Sequence, residues 1–328
     1  MKIAICSICK NEEKNVPNFI KNIKPFDEVV VVDTGSTDNT VKLLKDAGVT
    51  VYELPMPVED FDFSIVRNYS KSLLSDDIDW CGFLDFNERF ENFNSLWFLD
   101  LDATSVIFER YDDFGNNNIT RGMEDHIRFI RPNLYKWTYA VHEDLVPITD
   151  NHKTVTLPIK IIKVILRTKE KEEFYVNIAK RALANEPNNT YYHWFIVKNY
   201  YEKRDEENVI KYGIDYLSRT ASMSGSFRPL IASMCAVAAV QKQNLEMALS
   251  LSYLIISELY AVGNLIPQEI LKQLVSDVFK ISQALNFPEL ALSASSIVMQ
   301  NSPDFREMRK DIINKIINNG EKFYEQNA

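Results

Sequence analysis

Glycine is scarce in this chain, with 9 among 328 residues. That excludes a collagen-like protein, and neither a Gly-rich dinucleotide fingerprint nor a P-loop is present. Four cysteines are too few for a disulfide scaffold. No apolar run reaches the roughly 18 residues that a bilayer span needs. The longest, Pro229 to Val240, reads as a buried helix. Polar Ser7 and Lys10 interrupt the opening apolar run, so the N-terminus reads as a strand and not a signal peptide. With no targeting segment, the expected location is cytoplasmic. Positive charge is also short, with 37 Lys and Arg against 46 Asp and Glu, a net charge of −9. The deficit lies in residues 1–150, which hold 15 basic against 27 acidic residues, or −12; residues 151–328 hold 22 against 19, or +3. The acidic half argues against tight, sequence-independent binding to a nucleic-acid backbone. It suits a site for a metal, a sugar or a polar small molecule. What remains is an ordinary globular composition, 46% hydrophobic and 25% charged, long enough for one large domain or two medium ones.

Cys6 and Cys9 form C-x-x-C, which raises a redox or zinc reading. They lie in an apolar run that reads as a buried strand, where residues three apart point to opposite faces. No second C-x-x-C completes a four-cysteine zinc site. Cys81 and Cys235 read as core residues.

The first 54 residues alternate between strand and helix patterns. Ile3–Ile8 is apolar; Glu12 to Ile23 has helical spacing; Glu28–Asp33 is the β-branched run of a strand buried on both faces. Thr34 to Asp38 is a turn that starts a second helix ending at Gly48, and Val49–Leu54 is the next strand. A helix over Phe63–Leu74 follows, with strands at Trp80–Leu84, Ser105–Glu109, Ile127–Ile130 and Val155–Ile165 and a loop at Asp112–Asn118. This order predicts an open α/β sheet. From about residue 168 only helical periods remain: Glu172–Asn185, Tyr191–Lys203, Glu206–Arg219, Arg228–Lys242, Leu245–Val262, Gln268–Leu285, Pro288–Met299 and Asp304–Tyr324. Helix hairpins of a solenoid and a plain helical bundle both fit, and the stretch Asn185 to Tyr201 resembles a tetratricopeptide repeat.

Open α/β sheets bind ligands at the carboxyl ends of their strands. Those ends carry Lys10-Asn11-Glu12, Asp33-Thr34-Gly35-Ser36 and Asp85-Phe86-Asn87-Glu88. Three polar clusters at three strand exits make a constellation of carboxylates, amides and hydroxyls, suited to a base, a ribose or a sugar. Over roughly residues 1–145 the chain resembles family 2 glycosyltransferases of the GT-A fold. The resemblance rests on Lys10 to Glu13, on Val30 to Asp38, on Asp62-Phe63-Ser64 with Arg67-Asn68, on Leu84-Asp85 and on Val141-His142-Glu143. The order and spacing of these motifs resemble those of the branch of that family with a tetratricopeptide-like tail. The resemblance implies a nucleotide-sugar-binding domain over 1–167, an all-helical domain over 168–328, and a donor site made of Asn11, Glu12, Asp33, Thr34, Gly35, Arg67 and Asp85. A UDP-sugar is the implied donor.

The departure falls at the metal motif. The family usually carries Asp-x-Asp, often followed by Glu; here Asn87 stands in the second position. The resemblance implies a divalent cation, Mn or Mg, held by Asp85, Asn87 and His142, and the neutral amide puts it in doubt. A weakened metal site, a metal-independent transferase and an inactive relative all stay open. The catalytic pair implied is Asp85 and Glu143, with Glu143 as base and Glu124 and Asp125 as rivals. Arg128 and Arg131 face the diphosphate or else are strand-edge cations. Trp97, Trp137 and Trp194 stack on sugars or, more commonly for Trp, pack inside. The function implied is sugar transfer to a saccharide or polypeptide acceptor, the helical half binding that acceptor or a second copy of the chain. The alternatives are a non-catalytic nucleotide-sugar-binding scaffold and a transferase acting on nucleic-acid bases.

Overall fold

The protein is described from a computed structural model covering residues 1–115, 118–122, 126–165, 169–220, 227–262 and 268–298. Glu124, Asp125 and the helix expected over Asp304–Tyr324 lie outside the described residues. The chain divides into two compact units, Met1–Ile178 and Ala179–Ala328.

The first unit runs β1 (Ile3–Cys9), α1 (Val16–Ile23), β2 (Glu28–Asp33), α2 (Thr40–Asp46), β3 (Thr50–Glu53), α3 (Phe63–Ser72), β4 (Trp80–Phe83), β5 (Glu88–Glu91), β6 (Ser105–Asp113), β7 (Ile119–Arg121), β8 (His126–Ile130), β9 (Tyr135–Thr138), β10 (Asp144–Pro147) and β11 (Thr154–Val164). The main sheet is mixed, in the order β3-β2-β1-β4-β8-β6-β11-β5, with β7 beside β6. Strands β3, β2, β1 and β4 are parallel. Then β8 runs antiparallel to both β4 and β6, and β11 parallel to β6. So β11 points the same way as β4, and β8 the opposite way. The C-terminal end of β11 and the N-terminal end of β8 therefore arrive at the carboxyl edge of the parallel half.

The expected α/β architecture followed by helices is what the chain adopts. The β-branched run of β2 is buried from Val30 onward, as a central parallel strand demands. Helix α1 turns Val16, Phe19 and Ile23 to the core, and Phe19 stacks on Phe86 at 4.1 Å. It starts four residues later than its apolar spacing predicts. The backbone N–H groups of Glu12 and Glu13 donate instead to Thr40 Oγ1 (2.7 Å) and Asp38 Oδ2 (3.2 Å), so that segment forms a loop. Phe129 anchors an aromatic cluster with Phe93, Phe98 and Phe108. Gly82 makes room for it: a Cβ there would sit 2.4 Å from the Phe129 ring and 2.8 Å from Ile5.

Four short strands escape the sequence reading: β5, β7, β9 and β10. β5 reads Glu-Arg-Phe-Glu, and only its antiparallel pairing with β11 makes it a strand. Among the described residues β9 and β10 pair only with each other. β6 runs on into the expected loop because Tyr111 to Asp113 pair with both β7 and β11.

Helix α4 (Lys169–Asn185) spans the division between the units. It is followed by α5 (Thr190–Glu202), α6 (Glu206–Arg219), α7 (Phe227–Gln241), α8 (Leu245–Val262), α9 (Gln268–Leu285) and α10 (Pro288–Val298). From α5 on, each helix packs on its successor, and α5 also touches α7, α7 touches α9, and α8 touches α10. Asn189 and Asp205 cap α5 and α6, each accepting from backbone N–H groups of the first turn. Small residues on α7, Ala232, Ala236 and Ala239, are fully buried and let its neighbours approach. No helix of the described residues is long and apolar enough to cross a membrane.

Candidate functional site

The loops after β1 and β2 are tied into one unit. Asn11, at φ 55°, uses its side-chain oxygen to accept from Thr37 N (2.7 Å), while Ser36 Oγ accepts from Asn11 N (2.8 Å). Asp33 is buried and closes its own turn: Oδ2 accepts from Gly35 N (3.0 Å) and Ser36 N (2.9 Å), and Oδ1 from the Ser36 hydroxyl. Gly35 allows this turn because its φ of 106° disfavours any side chain. Thr34 is also buried and donates to Cys9 O at 3.1 Å. Glu12 accepts from Asn15 Nδ2 at 2.6 Å; burial raises its carboxyl, and that bond and Lys171 pull it back. Five of the predicted donor-site residues are thus brought together. In this arrangement their polar atoms shape the loops.

The carboxyl edge beyond β4 is different. Six charged side chains alternate in sign along one chain of contacts. Glu143 accepts from Arg67 Nε, and Arg67 Nη2 donates to Asp85 Oδ1 at 3.0 Å. Asp85 Oδ2 accepts from Lys163 Nζ at 3.1 Å, and the same ammonium lies 3.3 Å from Glu88 Oε1. Arg128 then grips Glu88 with both terminal nitrogens at 3.1 Å. Each member arrives by a different element: Arg67 on the buried face of α3, Asp85 after β4, Glu88 opening β5, Arg128 on β8, Glu143 before β10 and Lys163 near the end of β11.

Burial would push the Asp85 carboxyl up, but Lys163, Arg67 and Arg128 outweigh it and hold it well below the usual carboxylate range. Burial likewise works against charge on Lys163, and Glu88 and Asp85 overcome it, keeping the ammonium protonated. Arg67 is stabilised as a cation by Glu143 and Asp85 against its own burial, and its guanidinium lies 5.0 Å over the Trp137 ring. The cluster is solvent-shielded at both ends and more open in the middle. The Glu88 side chain is 0% exposed and that of Arg128 13%, while Asp85 and Lys163 reach 26% and 29%.

The three residues implied as metal ligands have other partners. Asp85 offers one oxygen to Arg67 and the other to Lys163. The Asn87 amide donates to Val164 O at 2.8 Å. His142, at φ 49°, meets Tyr175 with ring centroids 6.0 Å apart. Among the described residues no group of three or more His, Cys, Asp and Glu side chains is placed to hold a metal ion. This donor set does not fit a divalent cation as it stands, because fixed cations already occupy the carboxylates.

Other predicted residues take structural places. Asp62 caps α3, accepting from Ile65 N at 3.1 Å and Ser64 Oγ at 2.7 Å. Arg131 lies 4.1 Å over the Trp80 ring and donates to Asp79 O, away from the cluster. Trp137 packs edge-on against Phe83, Trp97 lines the sheet core, and Trp194 packs with Tyr191 and Phe227. Cys9 lies 3.5 Å from Asp33 Oδ1, and burial followed by that carboxylate pushes its thiol far up, so it is no nucleophile. Cys6 instead lies against Cys81 at 3.6 Å.

Sequence reasoning missed Lys163 and Tyr175. Lys163 sits in a strand that reads only as apolar alternation, and nothing local marks it. Tyr175, on the first part of α4, packs against Phe63 and His142 and feels Lys163, Asp85, Glu143 and Arg67. Its phenol is raised, burial being the main cause.

Comparison with known proteins bears on this unit. The family model of Glycosyl transferase family 2 matches residues 4–58, from β1 to the loop after β3. Protein RfbJ of Shigella flexneri is 37% identical over 57 residues, 16% of this chain and 44% of RfbJ, so the match spans less than half of that relative's length. Among solved structures, TarS of S. aureus in complex with UDP is similar with a TM-score of 0.42 and 12% identity, over 74% of this chain and 92% of that one. Glucosyl-3-phosphoglycerate synthase from Mycobacterium tuberculosis, solved with Mn2+, UDP and glucosyl-3-phosphoglycerate, gives a TM-score of 0.27 and 23% identity over 34% of this chain and 44% of that one. At such scores these structures carry no argument about the site, which rests on the geometry above.

Proposed function

We propose that this protein is a glycosyltransferase that takes a sugar from a nucleotide-diphosphate donor, a UDP-sugar, and passes it to a saccharide or polypeptide acceptor. The observation that carries this reading is the six-membered ion-pair chain at the carboxyl edge of the parallel strands, where open α/β sheets bind ligands. It lies beside the loops of the segment that matches the family. In the reaction, the bond between the anomeric carbon and the β-phosphate oxygen breaks, and its electron pair leaves on the nucleoside diphosphate. An acceptor oxygen forms the new bond and loses its proton to a base. Positive groups at the edge favour the charge that develops on the leaving diphosphate. We assign Arg67 and Lys163 to that charge and Asp85 to holding both. Glu143 faces Arg67, so we assign it to positioning Arg67 in preference to acting as the base. The loops of Asn11, Glu12, Asp33, Thr34 and Gly35 shape the nucleoside end.

The helical region, read as tetratricopeptide-like, would bind the acceptor or a second copy. Its support is the packing of each helix on its successor and of α5 on α7 and α7 on α9, as in stacked helix hairpins. The cytoplasmic location belongs to the same proposal.

The test is nucleotide release from a panel of nucleotide-diphosphate sugars. Slow release from one donor by the wild type, lost in Asp85→Ala, is the expected result. No release and no rise in melting temperature with any nucleotide would overturn the reading. Stabilisation without release, with or without acceptor, would point to the non-catalytic scaffold.

A further inference from the structure

We infer that Lys163 is the resident cation of this site, standing between Asp85 and Glu88 in place of a divalent ion and holding the donor diphosphate without a metal. The inference rests on the glycosyltransferase reading above. Its ammonium lies 3.1 Å from Asp85, the one carboxylate of the implied metal set, and 3.3 Å from the buried Glu88, so a fixed positive charge already sits against both. A lysine has three N–H donors. One donates to Asp85 while Glu88 lies in ion-pair range, which leaves donor capacity for a phosphate oxygen on the accessible side, where Lys163 and Asp85 are 29% and 26% exposed.

Asn87 gives an independent argument. Its backbone carbonyl accepts from Val164 N at 2.8 Å, and its side-chain amide donates to Val164 O at 2.8 Å. That pair of bonds clamps the residue next to Lys163. A carboxylate has no proton to donate and would face the Val164 carbonyl with like partial charge. The substitution that weakens the family's metal motif therefore fixes the strand carrying the replacement cation. The electrostatics are also conserved. Three cations, Arg67, Lys163 and Arg128, face three carboxylates, Asp85, Glu88 and Glu143, with no net charge. Two carboxylates with one divalent ion have the same balance. When the glycosyl bond breaks, the electron pair stays on the β-phosphate oxygen, and Lys163 donates a hydrogen bond there without giving up its proton.

The test is calorimetric titration of the full chain with UDP, GDP and dTDP, in EDTA and again in Mn2+. The wild type is expected to bind one of them with affinity equal within about twofold in both buffers. Lys163→Met is expected to bind it about tenfold or more weakly in EDTA, the size of a lost charge-assisted hydrogen bond, and Lys163→Arg within a few-fold of wild type. Wild-type affinity about tenfold or more higher in Mn2+ would overturn the inference and leave the nucleotide-sugar reading standing. So would Lys163→Met binding like wild type. Absence of binding in either buffer would overturn both. If Lys163→Met does not fold, as melting will show, the wild-type comparison decides alone.

Discussion

Two buried arginines, one in each unit, show how the same residue serves different ends. Arg228 opens α7 with its side chain 5% exposed. It donates to Glu258 of α8 at 2.6 Å, to Leu217 O at 3.2 Å and to Thr220 Oγ1 at 2.6 Å. One carboxylate and two neutral oxygens satisfy it, and it fastens the end of α6 to α7 and α8. Arg67 is nearly as buried, at 10%, but both its partners are carboxylates and one continues to a partly exposed lysine. An arginine whose contacts all end inside is a fastener. One whose chain of contacts passes through a partly exposed ammonium is placed to respond to a charged ligand.

The strongest way to break that comparison is Arg67→Met beside Arg228→Met. Each leaves a buried carboxylate without its partner and should cost about 3–5 kcal/mol of stability, read from denaturant unfolding. Only Arg67→Met should also abolish nucleotide binding; equal effects on binding would dissolve the distinction. Next, Asp85→Ala should lower nucleotide release from the donor by about a hundredfold or more, measured as turnover at saturating donor.

Acid should separate the two units. His193 is buried, with Nε2 3.0 Å from Pro187 O and Nδ1 without a partner among the described residues, and burial holds its imidazole below the ordinary 6.5. The unfolded chain therefore takes up that proton first. Stability of the helical unit should be intact above pH 6.5 and decline as pH falls through and below it. Asp85 works lower down. Its carboxyl lies below the ordinary 3.8, so its contribution is complete above that pH and fades only in stronger acid. Between these limits the melting temperature should fall in the wild type and less in His193→Gln. The smallest effect belongs to Cys9→Ser, which should leave turnover within about twofold, since a thiol held protonated has no nucleophilic part.

Much of this fold was legible because its cues are local. The β-branched run of β2 and the apolar face of α1 announce themselves, and α6, α8 and α9 have the bounds their periodicity predicts. The strands that escaped, such as β5 and β9, hold their shape through pairing partners far along the chain. The site divides in the same manner. Asp85 and Arg67 stand in short motifs, and Asn87 was visible as a departure. Its purpose was not, because that lies in a bond to Val164, 77 positions away. Lys163 was invisible for the same reason: only the direction of β11 relative to β4 brings it to Asp85.

Whether Lys163 takes the place of a metal is decided by a crystal structure of the full chain grown with UDP and Mn2+. The nucleoside is expected against the loops after β1 and β2, with a diphosphate oxygen within hydrogen-bond distance of Lys163 Nζ. A nucleotide bound elsewhere, or Mn2+ seated between Asp85 and Glu88 with Lys163 displaced, would contradict it.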